Sequence, residues 1–176
     1  MPATLVFKHW VAIGAALLTR VPAMAFVTPL RVLVVDDHAG IRTGIAGLID
    51  AEAPHMQTVG VAATAAQALA HARELQPDVV VLDVDLGGED GLALIPALHC
   101  IAACEVVVLT SLADPQVAAR VRGLGARACV QKTAPAAELI GLLDGIANAR
   151  IGDSKALTPP ASMGSALSRS HGTKHP

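Results

Sequence analysis

Five short aliphatic runs, spaced through the middle of the chain and separated by helix-like stretches, constrain this sequence more than any other feature. They occupy 31–36 (RVLVVD), 58–62 (TVGVA), 79–83 (VVVLD), 105–110 (EVVVLT) and 128–131 (ACVQ). Four are rich in β-branched residues and nearly unbroken in apolar character, the pattern of strands buried on both faces rather than half-exposed. Helical patterns fill the intervals at 40–50, 65–75, 92–100, 116–124 and 136–149. Pro77, Gly87, Gly88, Pro115, Gly123, Gly125 and Pro135 stand at the joints. Five successive βα units imply a parallel sheet wrapped by right-handed crossovers. The core must be aliphatic, because there is no Tyr and the three aromatic residues, Phe7, Trp10 and Phe26, all precede residue 27.

Length and charge divide the chain further. The 176 residues suit one domain, and the apolar fraction of 53% against 16% charged excludes disorder of the whole chain. Residues 30–150 hold 8 Lys and Arg against 14 Asp and Glu, while each flank carries an excess of base. No basic stripe exists for a phosphate backbone, so no direct nucleic-acid partner is expected. Residues 1–29 have the outline of a signal peptide: Lys8 and His9, an apolar run from Trp10 to Leu18, and the triplet Ala23-Met24-Ala25. Met24 would also serve as a start, and that reading, with a cytoplasmic chain, is preferred. No membrane association is expected. Residues 151–176, rich in Ser, Pro, Gly and His, are expected to be a disordered tail. Cys100, Cys104 and Cys129 lack the spacing of a disulfide framework or a zinc site and read as small buried hydrophobes.

In an open parallel sheet, ligands bind beyond the carboxyl ends of the strands. The first run closes on Asp36 and Asp37, the third on Asp83, the fourth on Thr110 and Ser111, and the fifth on Lys132. Two carboxylates about 4 Å apart repel by about 4 kcal/mol at an effective dielectric near 20, so such a cluster needs a compensating cation. Oxygen-only donors point to Mg²⁺ rather than zinc. An ionised Asp83 needs no general base to attack phosphorus, and Lys132 and Thr110 could bind the oxygens of the transferred group. Taken singly, each residue has a plainer role. Asp36 and Asp37 could cap a helix, Lys132 could be a solvated lysine, and Thr110 an ordinary strand residue. His38, His55, His71 and His99 read as surface or packing residues, and a metal pair at His171 and His175 lacks helical support.

The runs RVLVVDDH, PDVVVLDVDLGGEDG, VVVLTS and GARACVQKTAP together are similar to the receiver domain of bacterial two-component response regulators, over residues 30 to about 150. The resemblance implies an α/β, flavodoxin-like, doubly wound five-stranded parallel sheet of order 2-1-3-4-5. It implies that Asp83 accepts a phosphoryl group from a sensor histidine kinase. Asp36, Asp37, Asp83 and the backbone carbonyl of Asp85 would hold Mg²⁺, Thr110 would be the switch hydroxyl and Lys132 the phosphate-pairing cation. A homodimer and an unidentified downstream protein are compatible partners, and no enzymatic turnover is expected. Two positions depart from the family: Gly87 stands where Pro is common, and Cys129 replaces the usual aromatic of the fifth strand. DDH, Ile41-Arg42-Thr43-Gly44 and KTAPAAELI are most similar to the LuxR-type branch, yet the 26 residues after Arg150 lack the apolar periods of a helix-turn-helix module. A lone receiver, or one whose output domain is lost, is therefore expected. A phosphorylation-independent interaction module is the alternative, and the pair Asp83 and Asp85 has the spacing of a small Asp-dependent phosphatase.

Overall fold

The computed structural model describes residues 28–156 apart from 112 and 113. The signal-like segment 1–27, the choice of Met24 as start and the stretch 157–176 lie outside the described residues. Five parallel strands form one sheet: β1 (Leu30–Val35), β2 (Met56–Ala62), β3 (Val79–Asp83), β4 (Glu105–Thr110) and β5 (Ala128–Gln131). Their order is β2-β1-β3-β4-β5, the flavodoxin-like arrangement expected from the sequence. Helices α1 (Ala39–Asp50), α2 (Ala65–Leu75), α3 (Ile95–Ile101), α4 (Pro115–Gly123) and α5 (Ala136–Ala156) connect and follow the strands.

The strands read as unbroken aliphatic runs because each of their faces meets a helical layer. Leu33, Val35, Val80, Leu82, Val106 and Val108 join Ala68, Ala72, Leu98 and Val121 of α2, α3 and α4 in one core. The alternating residues Val32, Val34, Val79, Val81, Val107 and Leu109 join Ile45 and Ile49 of α1 and Leu139, Leu143 and Ile146 of α5 in the other. Each such side chain taken fully from water contributes about 1.5–3 kcal/mol. Aliphatic side chains fill both layers, so the absence of aromatics costs the fold nothing it needs. Cys104 is buried and Cys129 packs half-buried against the first core. Burial pushes both thiols above the ordinary range, as befits small hydrophobes. Cys100 is exposed instead.

Four differences from the sequence expectation carry physical reasons. Strand β1 ends at Val35, leaving Asp36 just beyond the ladder and free to turn into the site. The expected helix 92–100 is a 3-10 turn over Gly91–Leu94 followed by α3, whose first turn contains Pro96; proline is tolerated there because the first-turn N–H groups have no intrahelical acceptor. Helix α5 continues through Ala156, past the boundary at 150, since no proline interrupts the chain before Pro159. A two-residue antiparallel ladder, Asp85–Leu86 with Glu89–Asp90, forms in the loop after β3. Gly87 and Gly88 turn it at φ 68° and 94°, a conformation that costs glycine little.

Candidate functional site

The carboxyl ends of β1, β3 and β5 bring three charged side chains into one buried cluster. Lys132 Nζ donates to Asp83 Oδ2 at 2.5 Å and lies 2.7 Å from Asp36 Oδ2. Asp36 is fully buried, Asp83 nearly so, and the Lys132 side chain is 13% exposed. The contact with Asp36 pairs charges without the alignment of a hydrogen bond, so Asp36 Oδ2 has no aligned donor among the described residues. One ammonium therefore serves two buried carboxylates.

Backbone register explains the convergence. Parallel pairing sets Asp83 opposite Leu109, one residue before Thr110, and Thr110 opposite Gln131, one residue before Lys132. Lys132 N donates to Thr110 O at 2.8 Å, tying the two strand ends together. The buried Thr110 thus stands on the strand between those that carry Asp83 and Lys132. Asp36 Oδ1 accepts from His38 N at 2.8 Å, which points the remaining oxygen toward Lys132. Neither Asp36 nor Asp37 caps α1: the residue at the cap is His38, which makes no side-chain cap bond. The helix-cap reading of the pair fails, as does the solvated reading of Lys132.

The charges respond to this crowding. Burial raises the Asp83 carboxyl above its ordinary value, with Lys132 opposing and Asp36 adding to the rise. Burial pulls Lys132 down, but its pairing with the carboxylates of Asp36 and Asp83 outweighs it and leaves the ammonium above its ordinary value. Asp37, at the open side of the cluster, is lowered chiefly by its hydrogen bond with His38. One donor atom each of Asp36, Asp37 and His38 lies within 4.8 Å of the others. Asp83 meets Asp36 through their shared Lys132 ammonium, so the carboxylates of Asp36, Asp37 and Asp83 lie along one edge of the sheet.

The loop after β3 closes the same edge. Asp85 Oδ1 accepts from Gly88 N at 2.7 Å, so its carboxylate is engaged in the turn of the small hairpin. A Cβ at Gly87 would stand 3.7 Å from Asp37 Oδ2, which places this turn against the acidic cluster.

Two residues escaped the sequence reading of the site. Gly91 is one, because a Cβ there would lie 2.0 Å from Asp83 O, and its N–H donates to Val84 O at 2.8 Å. Arg42 is the second; its Nη1 donates to Asp36 O at 2.6 Å and to Asp37 O at 3.0 Å. An arginine in the first turn of a helix opposes the macrodipole, and that mismatch is the signal that it has a local acceptor. His38, read as a surface residue, is exposed yet sits 3.3 Å from Asp37 Oδ1 through Nδ1. Asp90 caps the 3-10 turn through Leu92 N and pairs with Arg120 of α4.

Known proteins share this fold. The model of the response regulator receiver domain matches residues 32–144. The chain belongs to the response regulator receiver family. Response regulator GacA of Pseudomonas viridiflava is 38% identical over 112 residues, covering 63% of this chain and 52% of that protein. A protein-glutamate methylesterase/protein-glutamine glutaminase of Myxococcus xanthus is 40% identical over 105 residues, 60% of this chain and 30% of the relative. Among solved structures, a two-component response regulator of the LuxR family from Aurantimonas superposes with a TM-score of 0.63 at 30% identity, over 69% of this chain and 86% of the other. The chain spans about half the length of GacA, so the match concerns the receiver domain. No helix among the described residues is long and apolar enough to cross a membrane.

Proposed function

We propose that this receiver accepts a phosphoryl group on Asp83 from the phosphohistidine of a sensor kinase, in a Mg²⁺-dependent reaction in the cytoplasm. The observation that carries the proposal is the buried Lys132 ammonium, in contact with both Asp83 and Asp36 at the ligand-binding edge of the sheet. An Asp83 oxygen forms the bond to phosphorus as the P–N bond breaks, and the electron pair of that bond returns to the imidazole. Asp36, Asp37 and Asp83, with the carbonyl of Asp85, would hold the metal ion. The donor set fits: it is oxygen-rich, exceeds its one ammonium in charge, and includes Asp36 Oδ2 with no aligned donor. Bound Mg²⁺ would neutralise the oxygens of the group in transfer.

Within the chain, Lys132 offsets the charge that builds up next to Asp83, and Thr110 supplies a hydroxyl at the neighbouring strand end. Gly91 keeps the acceptor loop close to the Asp83 carbonyl. The acyl phosphate would then bias the surface formed by α4, β5 and α5 toward or away from a protein partner. A phosphorylation-independent module is not favoured, since the charged cluster is assembled rather than eroded. Incubating the protein with Mg²⁺ and a small phosphodonor is expected to add one phosphoryl mass. An unchanged mass, or equal labelling of Asp83→Asn, rejects the reading.

A further inference from the structure

The oxygen donors of the cluster account for a hard cation but leave one group at its rim unused. Asp36 and Asp37 are followed directly by His38, whose ring Nδ1 is 3.3 Å from Asp37 Oδ1. Donor atoms of all three residues lie within 4.8 Å of one another. Two donors at right angles on an ion with bonds near 2.1 Å stand about 3 Å apart, so the Asp37–His38 spacing is within a few tenths of an ångström of a shared-ion bite. The backbone reinforces the placement. His38 N holds Asp36 Oδ1 at 2.8 Å, which fixes the root of the imidazole next to the carboxylates. Arg42 fixes the same loop from below through the Asp36 and Asp37 carbonyls. Independently of the ring, the fully buried Asp36 presents Oδ2 to the cluster with no aligned hydrogen-bond donor. Its Lys132 contact pairs charge but leaves a lone pair unspent.

We propose that His38 Nδ1 is a nitrogen ligand at this cation site, so that the cluster takes divalent transition ions such as Mn²⁺ as well as Mg²⁺ and favours the former. The inference rests on the cation site proposed above and adds its chemical preference. Imidazole is a good ligand for first-row transition ions, whereas Mg²⁺ selects oxygen and retains water. With 73% of its side chain exposed, His38 loses little hydration on turning to an ion. It would tune the ion's identity without contributing to the fold. A surface histidine that merely pairs with Asp37 would occupy the same position in the free protein, so the distinction lies in the bound state.

Pulsed electron paramagnetic resonance of Mn²⁺ added to the full chain carrying ¹⁵N-labelled histidine reads the ligand directly. The expected result is one Mn²⁺ site, abolished by Asp37→Asn, that shows histidine nitrogen coupling in the wild type and none in His38→Ala. Calorimetry should then show Mn²⁺ affinity reduced about tenfold in His38→Ala, with Mg²⁺ affinity changed less than about twofold. A site that depends on Asp37 but shows no histidine coupling, or coupling that persists in His38→Ala, overturns the role of His38 and leaves an oxygen-only site. If neither Mg²⁺ nor Mn²⁺ binds in an Asp37-dependent way, the cation site itself is wrong and the inference falls with it.

Discussion

The two ends of the sheet each hold an acid–base cluster, and they are built to opposite ends. At the amino ends, Asp78 Oδ2 accepts from Arg31 N at 2.9 Å and Oδ1 pairs with Arg150 Nη2 at 2.6 Å. Arg31 in turn donates through Nη2 to Leu75 O at 2.6 Å. Both oxygens of Asp78 have a partner, and the cluster pins β1, β3 and α5 together. At the carboxyl ends, Asp36 and Asp83 share the single ammonium of Lys132, with Asp37 alongside. Satisfied charges hold a structure together, whereas uncompensated negative charge held in place by the surrounding fold is a binding capacity.

Four substitutions sharpen or break this contrast. Lys132→Ala should have the largest effect, about 3 kcal/mol lost in urea denaturation without added metal, because it strands two buried carboxylates. A cost well under 1 kcal/mol would mean that the carboxylates are not crowded. Gly91→Ala follows at about 2 kcal/mol, since a Cβ 2.0 Å from Asp83 O forces the acceptor loop to move; the same variant should lose phosphorylation before it loses its fold. Asp78→Asn, at the satisfied end, should cost about 1 kcal/mol in the same measurement and leave phosphorylation unaffected.

The smallest expected effect has the opposite sign. Burial raises Asp83 above its ordinary value, so its ionisation opposes folding. Its stabilising contribution is complete below the ordinary carboxylate pKa and disappears as pH rises through the raised one. Asp83→Asn should therefore be more stable than wild type at neutral pH without metal, by roughly 0.5–1 kcal/mol, while losing phosphorylation. Its stability should also depend less on pH on the acidic side of neutrality. Equal denaturation midpoints at pH 7 and pH 4 for both proteins would contradict the assignment of strain to Asp83.

The contrast between the ends also explains what the sequence could reveal. Strands β3, β4 and β5 coincide with their aliphatic runs, because burial on both faces leaves a signal that needs no partner to be read. The placement of Asp36, Asp83, Thr110 and Lys132 at one edge was legible because a parallel sheet sets all its strand ends side by side. The hairpin after β3 was not, since a two-residue ladder has no periodicity and depends on the positive φ of two glycines. Gly91 and Arg42 were hidden for a different reason: they act on backbone carbonyls of nearby loop residues, which no side-chain pattern marks. His38 is exposed, as its lack of ligand spacing suggests, and its place beside Asp37 is a property of the loop rather than of the residue type.

The central claim is that the carboxyl-end cluster is a cation-dependent phosphoacceptor site rather than a structural salt-bridge network. Urea unfolding titrated with Mg²⁺ tests it most directly. The account predicts that stability rises with Mg²⁺, by about 2.7 kcal/mol at a hundred times the dissociation constant, and that the rise vanishes in Asp37→Asn but persists in Asp78→Asn. A wild-type midpoint that stays flat across the titration, or rises equally in Asp37→Asn, would contradict it.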